Sequence, residues 1–267
     1  MKSDLKFRKL KKGGLRILIR DDLYRPDVLK QIKKPDRLLE KAKVLYKDSA
    51  KTTAGIVSIC GQPFFLKRYN RRGIFHTART VLRRSRPKKV IAVSTHLTKK
   101  GVLTPEPVAL MEKRKGRLLL SSYILTRCVK ADRLRYQIEK RKNDPEWTNR
   151  AIKNLAALIA SIHKAKVMHG DMKANNFIIE KPYEKARIWV VDLDGSVIKR
   201  RIDIQDQARD LARLFFSFRD TLCPLSHLRF FVHYIKEMHI KNLAKEELYA
   251  LLTEIHEISN NHLDRRN

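Results

Sequence analysis

The chain has 267 residues and a mass of 31.3 kDa, and 43% of its residues are hydrophobic. A chain of this length buries a sizeable core, so a small disulfide-stapled domain and a disordered chain are both excluded. With 60 Lys and Arg against 28 Asp and Glu, the net charge is +32, which predicts an anionic partner. Charge alone leaves nucleic acid, an anionic membrane and a phosphorylated glycan open, because all three attract through the same Coulomb force.

The cysteines and the N-terminus bear on the cellular compartment. Cys60, Cys128 and Cys223 are odd in number and widely spaced, so neither a disulfide framework nor a cysteine-based zinc site is predicted. Residues 1–20 contain no apolar run typical of a signal peptide, and no segment approaches the ~18 apolar residues of a membrane span. We therefore expect a protein of the reducing cytoplasm, peripheral to a membrane at most.

The first 40 residues are charged and contain several glycines and prolines, so residues 1–40 are predicted to form a basic N-terminal extension, or short helices, outside the core. β-prone apolar runs separated by turns follow, and they predict three antiparallel strands. These runs lie at residues 44–46, 56–59 and 64–66. They begin a predicted first lobe that spans residues 41–127.

Acidic residues are absent from residues 49–105, which hold 13 Lys or Arg. Within this segment, apolar residues three or four apart predict a helix over 71–100 that ends at Gly101. Strands are predicted next at 108–111 and 118–125. The first lobe is therefore expected to be an antiparallel sheet with one helical insertion.

The pattern becomes helical in the predicted second lobe, residues 128–267. Asp144 and Pro145 are a typical N-cap and first helical residue, and apolar residues follow at helical spacing for about five turns. A short hairpin is predicted from the apolar runs 177–179 and 188–191, and amphipathic helices are predicted from Asp210 onward. The predicted fold class is α+β, with a β-sheet lobe and a mainly α-helical lobe.

A phosphotransfer signature lies in the second lobe. Residues 169–176 read HGDMKANN, and Asp-Leu-Asp-Gly follows at 192–195, directly after an apolar strand. Protein kinases have the pattern H-R-D-L-x-x-x-N followed by D-F-G, and the His, Asp and Asn of the first motif are all present here at the same spacing. The arginine of that motif is replaced by Gly170.

The residue types at these positions suit the chemistry. Asp171 is the candidate base that accepts the proton of a hydroxyl nucleophile, and Lys173 is placed to neutralise the transferred phosphoryl group. Asn176, Asp192 and Asp194 offer the hard oxygen ligands that Mg²⁺ prefers. The sequence therefore predicts ATP and Mg²⁺ as cofactors.

The candidate phosphate-binding residues lie in the first lobe. Lys67 ends an apolar strand, where protein kinases carry the lysine that holds the α and β phosphates. The turn before it has a single glycine, Gly55, so backbone amides and the hydroxyls of Ser49, Thr52 or Thr53 are expected to cradle the phosphates. The helix that pairs this lysine with a glutamate in protein kinases has no candidate glutamate here.

Each of these features is also common without any function. A lone Asp-x-x-x-x-Asn occurs on many surfaces, and a lone lysine after an apolar strand is usually a solvated residue at a sheet edge. The order of the features favours the kinase interpretation: a strand lysine, a long helix, the loop with its Asp and Asn, a hairpin, and then Asp-Leu-Asp-Gly.

The chain resembles the bacterial lipopolysaccharide kinase family, which belongs to the protein-kinase-like superfamily and phosphorylates heptose or Kdo in the inner core. The resemblance covers about residues 62–218. It is carried by LKRY at 66–69, SR at 85–86, GVLTPEP at 101–107, SYILT at 122–126, IHKA at 162–165, DLARL at 210–214 and FS at 216–217, besides the two motifs above.

This resemblance implies a two-lobed protein-kinase-like fold and a role for several further residues. Gly55, Thr126 and Cys128 would contribute to the nucleotide site, and His169 would orient the catalytic loop rather than transfer a proton. Asp210 would brace that loop from the helix below it, although an ordinary helix N-cap is equally consistent with its position.

The resemblance also implies partners. The acceptor would be the lipopolysaccharide core and lipid A, reached at the inner face of the bacterial inner membrane, and residues 67–100 are the candidate membrane-docking surface. Nucleic acid becomes the less favoured partner. Two alternatives stay open, namely an atypical RIO-like serine/threonine protein kinase and a catalytically inactive polyanion-binding scaffold.

Overall fold

A computed structural model describes residues 6–49, 52–70, 85–180, 186–238 and 252–255. These residues form two compact units. The first unit extends to Thr95 and resumes over Pro105–Val129, and the second takes His96–Thr104 and the chain from Lys130 onward.

The first unit is built on a seven-stranded antiparallel sheet, which confirms the β-rich first lobe. Along the sheet the strand order is β1-β2-β6-β7-β5-β4-β3. In chain order the strands are β1 (Phe7–Lys12), β2 (Leu15–Arg20), β3 (Val44–Asp48), β4 (Thr52–Ile59), β5 (Gln62–Tyr69), β6 (Pro107–Lys115) and β7 (Leu118–Arg127). The five strands expected from apolar runs are all present.

The first 40 residues differ from the prediction, because they belong to the sheet unit and do not form an extension. β1 and β2 pair with each other, and β2 pairs with β6. Two short helices follow, α1 (Pro26–Ile32) and α2 (Pro35–Glu40), and Ile19 and Ile32 are fully buried in the same core. Buried and more exposed residues alternate over residues 15–20, with Ile17 and Ile19 buried and Arg16 exposed, as in a half-buried strand.

The second unit is mainly helical, as expected. Its helices are α4 (Leu134–Lys140), α5 (Pro145–Lys164), α6 (Ile204–Phe218) and α7 (Pro224–Glu237), whereas α3 (Arg86–Lys99) lies mostly in the first unit. Asp144 caps α5 by accepting a hydrogen bond from Trp147 N at 2.9 Å. The apolar residues along one face of α5 are buried. Helix α3 accounts for the second half of the helix predicted at 71–100 and stops before Gly101, whereas residues 71–84 lie outside the described residues.

Short strands complete the second unit. They are β8 (Asp132–Arg133), β9 (Val167–Met168), β10 (Phe177–Glu180), β11 (Arg187–Val190) and β12 (Val197–Ile198). β10 and β11 form the predicted hairpin, β8 pairs with the other edge of β10, and β12 pairs with β9. None of the helices in the described part of the chain is both long enough and apolar enough to cross a membrane.

The N-terminal strands should contribute to stability. Ile19 on β2 is fully buried, so we expect Ile19→Ala to lower the free energy of unfolding by about 2–5 kcal/mol through lost burial and a residual cavity. The neighbouring Arg16 is exposed, and Arg16→Ala should stay within about 0.5 kcal/mol of the wild type. Urea unfolding measures both. Equal values for the two variants would contradict the integration of these strands into the core.

Candidate active site

The loop that carries HGDMKANN is held from below by one buried carboxylate. Asp210 has no exposed surface, and its two oxygens accept hydrogen bonds from the backbone N–H groups of His169 at 2.6 Å and Gly170 at 2.9 Å. Asp210 lies within α6 and not at its start, because the N-cap of that helix is Asp203. The carboxylate therefore satisfies two loop donors that would otherwise be buried without partners.

Two further side chains on the same face of α6 hold the loop. Arg213, almost one helical turn after Asp210, donates a hydrogen bond to the carbonyl of Gly170. Ser217, about one turn further, accepts a hydrogen bond from Ala174 N at 2.7 Å and donates one to Leu214 O. Spacings of three and four residues thus place three anchors along the backbone of one loop.

The surroundings of Asp210 keep it ionised. Burial by itself opposes the charged form, but the hydrogen bond and charge of His163 and the contacts with His169 outweigh it, and the pKa of Asp210 lies below its usual value. His163 Nε2 is 3.5 Å from Asp210 Oδ2, and its Nδ1 lies 2.8 Å from the hydroxyl of Tyr234. That hydroxyl donates to Gln207 Oε1 at 2.9 Å, so the network continues into α6.

The predicted base and its neighbours lie together on this loop. Lys173 Nζ donates to Asp171 Oδ2 at 2.7 Å, and both side chains are nearly half exposed. Asn176 is buried, and its Nδ2 donates to the backbone carbonyl of Asp171 at 2.8 Å. Lys173 therefore bonds to one oxygen of the Asp171 carboxylate, and the hydrogen bond of Asn176 uses its amide nitrogen and leaves its amide oxygen for a ligand.

His169 is fully buried, as a residue that orients the loop would be. Its Nδ1 lies 3.4 Å from Asp171 N and accepts from it, while its carbonyl accepts a hydrogen bond from Ser196 Oγ at 3.2 Å. Burial lowers the pKa of His169 below its usual value, which keeps the ring neutral. A neutral, enclosed imidazole supports the loop through the backbone of Asp171.

Asp192 follows the hairpin in a left-handed backbone conformation, with φ and ψ both at 60°. Val191 N donates to Asn176 O at 2.9 Å, so the chain segments that carry Asn176 and Asp192 run side by side. Asp194 lies in the short 3-10 turn that follows. Within the described ranges no three His, Cys, Asp or Glu side chains cluster, but one amide and two carboxylates are a donor set that suits Mg²⁺ together with water and phosphate.

In the first unit, Lys67 lies on a central strand. It pairs with Ala54 of β4 on one side and with Ile124 of β7 on the other, and its ammonium lies 5.4 Å from the centre of the Tyr69 ring. Lys67 is half-buried and shares its face of the sheet with Tyr69 and Ile124. The lysine is therefore held on a rigid element.

The turn between β3 and β4 is closed by Ser49. Its hydroxyl accepts from Thr52 N at 3.2 Å and donates to Thr52 O at 3.1 Å. The Thr52 hydroxyl is buried, and no partner for it occurs in the part of the chain that the structure describes. Ser49 is thus occupied in shaping the turn, whereas Thr52 carries an unsatisfied polar atom of the kind that a bound phosphate would satisfy.

Glycine at position 55 has a packing explanation. A Cβ on Gly55 would lie 2.6 Å from the carbonyl oxygen of Val44 on the adjacent strand β3, so no larger residue fits between these strands. Thr126 lies on β7 opposite Phe65, and Cys128 follows the end of that strand. Cys128 is half-buried, and burial raises the pKa of its thiol, so it remains protonated.

Comparisons with known proteins establish the family and the fold. The model of the Lipopolysaccharide kinase (Kdo/WaaP) family matches residues 54–249, well over half of the chain. The chain belongs to this family. A solved structure described as "WaaP in complex with acyl carrier protein" is similar in fold, with a TM-score of 0.63 and 20% sequence identity over 88% of this chain and 98% of that one. No curated protein sequence matches the chain.

This member of the lipopolysaccharide kinase family has Gly170 where protein kinases have arginine, and the backbone explains why. Gly170 has φ +76°, and a Cβ there would lie 2.6 Å from the carbonyl oxygen of Gly195. The HGD loop and the turn after Asp192 therefore approach each other more closely than any side chain would allow. Glycine at this position is therefore explained by the close backbone approach of the two motifs.

A buried glutamate that the sequence did not reveal joins helix α3 to the sheet of the first unit. Glu112 on β6 is fully buried and accepts hydrogen bonds from Ser85 Oγ at 2.6 Å and Arg114 Nε at 2.8 Å, while Lys88 of α3 lies at 3.2 Å. Burial opposes ionisation, but these partners outweigh it and lower the pKa of Glu112. Helix α3 and strand β6 are thus joined by an ion pair in which Lys88 of the helix is the cation and Glu112 of the strand is the anion.

An open pocket beside Asp171 contains residues that the motif analysis did not assign. It has a volume of about 340 Å³ and is lined in part by Arg135, Arg213, Phe216 and Arg219. Arg213 and Phe216 had a readable signal, because both lie in the segment after Asp210 that carries the family resemblance. The others come from α4 and from the end of α6, and only folding brings them to the loop.

Two glycines with the same backbone conformation provide a test of the close approach. Gly61 has φ +78° and open space around its Cβ position, so Gly61→Ala should lower the free energy of unfolding by about 1–2 kcal/mol through backbone strain alone. Gly170→Ala should lower the free energy of unfolding by ~1–3 kcal/mol more than Gly61→Ala, because its Cβ would meet the carbonyl of Gly195. Chemical denaturation measures both values, and equal losses would show that the two motifs do not approach this closely.

The buried carboxylate predicts a specific pH dependence. The pKa of Asp210 is lower in the folded than in the unfolded state, so its stabilisation is complete above the unfolded value near 4 and is lost as the pH falls through the folded value. We expect Asp210→Asn to be less stable by about 3 kcal/mol at pH 7, and the difference from wild type to shrink below about pH 4. A pH-independent difference in urea unfolding would contradict an ionised Asp210.

Proposed function

We propose that this protein transfers the γ-phosphoryl group of ATP to a hydroxyl of a sugar, heptose or Kdo, in the lipopolysaccharide inner core. The observation that carries the proposal is the geometry of Asp171. Its loop is held by Asp210, Lys173 occupies one carboxylate oxygen, and the other oxygen remains for the acceptor hydroxyl. Membership of the lipopolysaccharide kinase family supports the substrate class.

In this mechanism Asp171 accepts the proton of the attacking sugar hydroxyl. The sugar oxygen forms a bond to the γ-phosphorus, and the bond from that phosphorus to the bridging oxygen breaks, so that ADP leaves with the electron pair. Lys173 lies next to the base and would partly neutralise the charge of the phosphoryl group during transfer. The fixed loop supports catalysis because a positioned base needs little reorganisation when the reaction begins.

The remaining site residues are proposed to bind the nucleotide. Asn176, Asp192 and Asp194 would hold Mg²⁺, which supplies positive charge to the phosphate oxygens when it is bound. Lys67 would pair with the α and β phosphates, and the Ser49–Thr52 turn would cover them, with the unpartnered hydroxyl of Thr52 as one donor. Thr126 and Cys128 would line the remainder of the nucleotide site at the end of β7.

The charge of +32 supports a peripheral location on the inner face of the bacterial inner membrane. Lys89 and Lys100 in and after α3 are exposed and suited to an anionic surface, where each contributes about 1 kcal/mol. Lys88 is less suited to this role than the sequence indicated, because it pairs with the buried Glu112. The residues of the proposed docking surface between 71 and 84 lie outside the described residues.

Replacing the proposed base tests the reaction. We expect Asp171→Asn to lower kcat for ATP-dependent phosphorylation of purified core oligosaccharide by about 10²–10⁴-fold, because an amide cannot accept the proton. Glu146→Gln on α5 is the matched control, since it makes the same carboxylate-to-amide change at a side chain that is 85% exposed. Mass spectrometry would locate the added phosphate.

The same assay separates the alternatives. Phosphate that appears only on added protein would favour a RIO-like protein kinase and contradict the sugar acceptor. Absence of turnover in the wild type with both acceptors would favour an inactive polyanion-binding scaffold, and full activity of Asp171→Asn would remove Asp171 from the role of base.

A further inference from the structure

The pocket beside Asp171 is lined by more positive than negative side chains. Its volume is about 340 Å³, and its lining includes four cations and two carboxylates. The cations are Arg135, Lys173, Arg213 and Arg219, and the carboxylates are Asp171 and Asp220. An acceptor hydroxyl that reaches Asp171 therefore enters a pocket with a net positive charge.

One of these cations lacks a carboxylate partner in the part of the chain that the structure describes. Arg213 donates to the neutral carbonyl of Gly170, so its charge is not compensated by that contact. Lys173 pairs with Asp171, and Arg219 lies 3.4 Å from Asp220. The positive charge of Arg213 thus remains available to an anion that occupies the pocket.

The other two arginines are held in place by groups that still leave them accessible. Arg219 lies over the ring of Phe216, with 4.4 Å between its guanidinium carbon and the ring centre. Arg135 is held by Glu139, one turn along α4, at 2.7 Å. Guanidinium groups fixed in this way lose little conformational entropy on binding, and they match the paired oxygens of a carboxylate or phosphate.

The position of the pocket separates it from a general basic surface. Arg213 is anchored to Gly170, the residue before the proposed base, and Lys173 is bonded to the base itself. An anionic group bound here would lie close to the reacting hydroxyl of the same acceptor. Charge at this point would orient the sugar, whereas charge elsewhere on the protein would only attract it.

We propose that Arg135, Arg213 and Arg219 form a subsite for an anionic group, a carboxylate or a phosphate, that the acceptor carries near its reacting hydroxyl. The proposal rests on the sugar kinase function above and narrows it, because it selects acidic or already phosphorylated sugars over neutral ones. The three arginines are positioning residues for the acceptor, and Asp171 remains the base.

Arginine variants outside the loop anchor test the subsite. We expect Arg135→Gln and Arg219→Gln each to raise the KM for soluble core oligosaccharide about tenfold and to leave the KM for ATP unchanged, because each removes one charge-assisted contact to the acceptor. Arg150→Gln on α5 removes the same charge from a side chain that is 64% exposed and outside the pocket, and it should behave as the wild type. A soluble acceptor excludes effects of membrane attraction.

Binding measured by calorimetry without ATP gives a second readout that does not depend on turnover. The wild type should bind the oligosaccharide about tenfold more tightly than either pocket variant. Reduction of the acceptor carboxylates or enzymatic removal of its phosphates should abolish this advantage. The modification that does so identifies which anion the subsite holds.

Three results would overturn the subsite. They are equal acceptor binding by the wild type and both pocket variants, the same loss in Arg150→Gln, and a rise in the KM for ATP alone, which would assign the arginines to the nucleotide. The two proposals fail separately. If the protein phosphorylates the sugar and the arginine variants have no effect, only the subsite proposal is contradicted. If acceptor binding depends on the arginines but no phosphate is transferred, only the proposed kinase activity is contradicted.

Discussion

The active-site loop depends on a buried carboxylate that accepts two backbone hydrogen bonds. Asp210 is removed from water, yet its pKa lies below its usual value, because His163 and the N–H groups of His169 and Gly170 contact its carboxylate. Losing such an acceptor leaves buried donors unsatisfied, at about 1–3 kcal/mol for each group. Because Arg213 and Ser217 extend the same helix face, a single element determines where Asp171 and Asn176 lie.

Three acidic residues of this strongly basic protein have structural or proposed chemical roles that basic residues could not take. Glu112 joins α3 to the sheet from inside the first unit, Asp210 supports the loop in the second, and Asp171 is the proposed base. Lysines and arginines outnumber the acidic residues by 60 to 28. A surplus of this size attracts anions over the whole surface, whereas the arginines beside Asp171 concentrate charge at one place.

Much of the fold could be predicted because local patterns were clear. The strands at 44–46, 108–111 and 118–125 and the capped helix α5 follow from apolar runs and a capping residue. The N-terminal strands were missed because Arg16 and the adjacent charges resembled a solvated segment, although alternation already placed Ile17 and Ile19 on one face. That prediction gave the charged composition more weight than the alternation of apolar residues. The pairing of β2 with β6 shows that the alternation was the better guide.

The sequence by itself determined the order and spacing of the loop residues Asp171, Lys173 and Asn176, because catalytic motifs of this kind lie within a few consecutive residues. Only the tertiary structure decided that Asp210 is a brace rather than a helix cap, that Gly170 allows a close backbone approach to Gly195, and that Glu112 joins α3 to β6. Each of these relations joins residues that are at least 24 positions apart in the chain. Their spacing carries no periodic signal, and only burial and the need to satisfy polar groups bring such residues together.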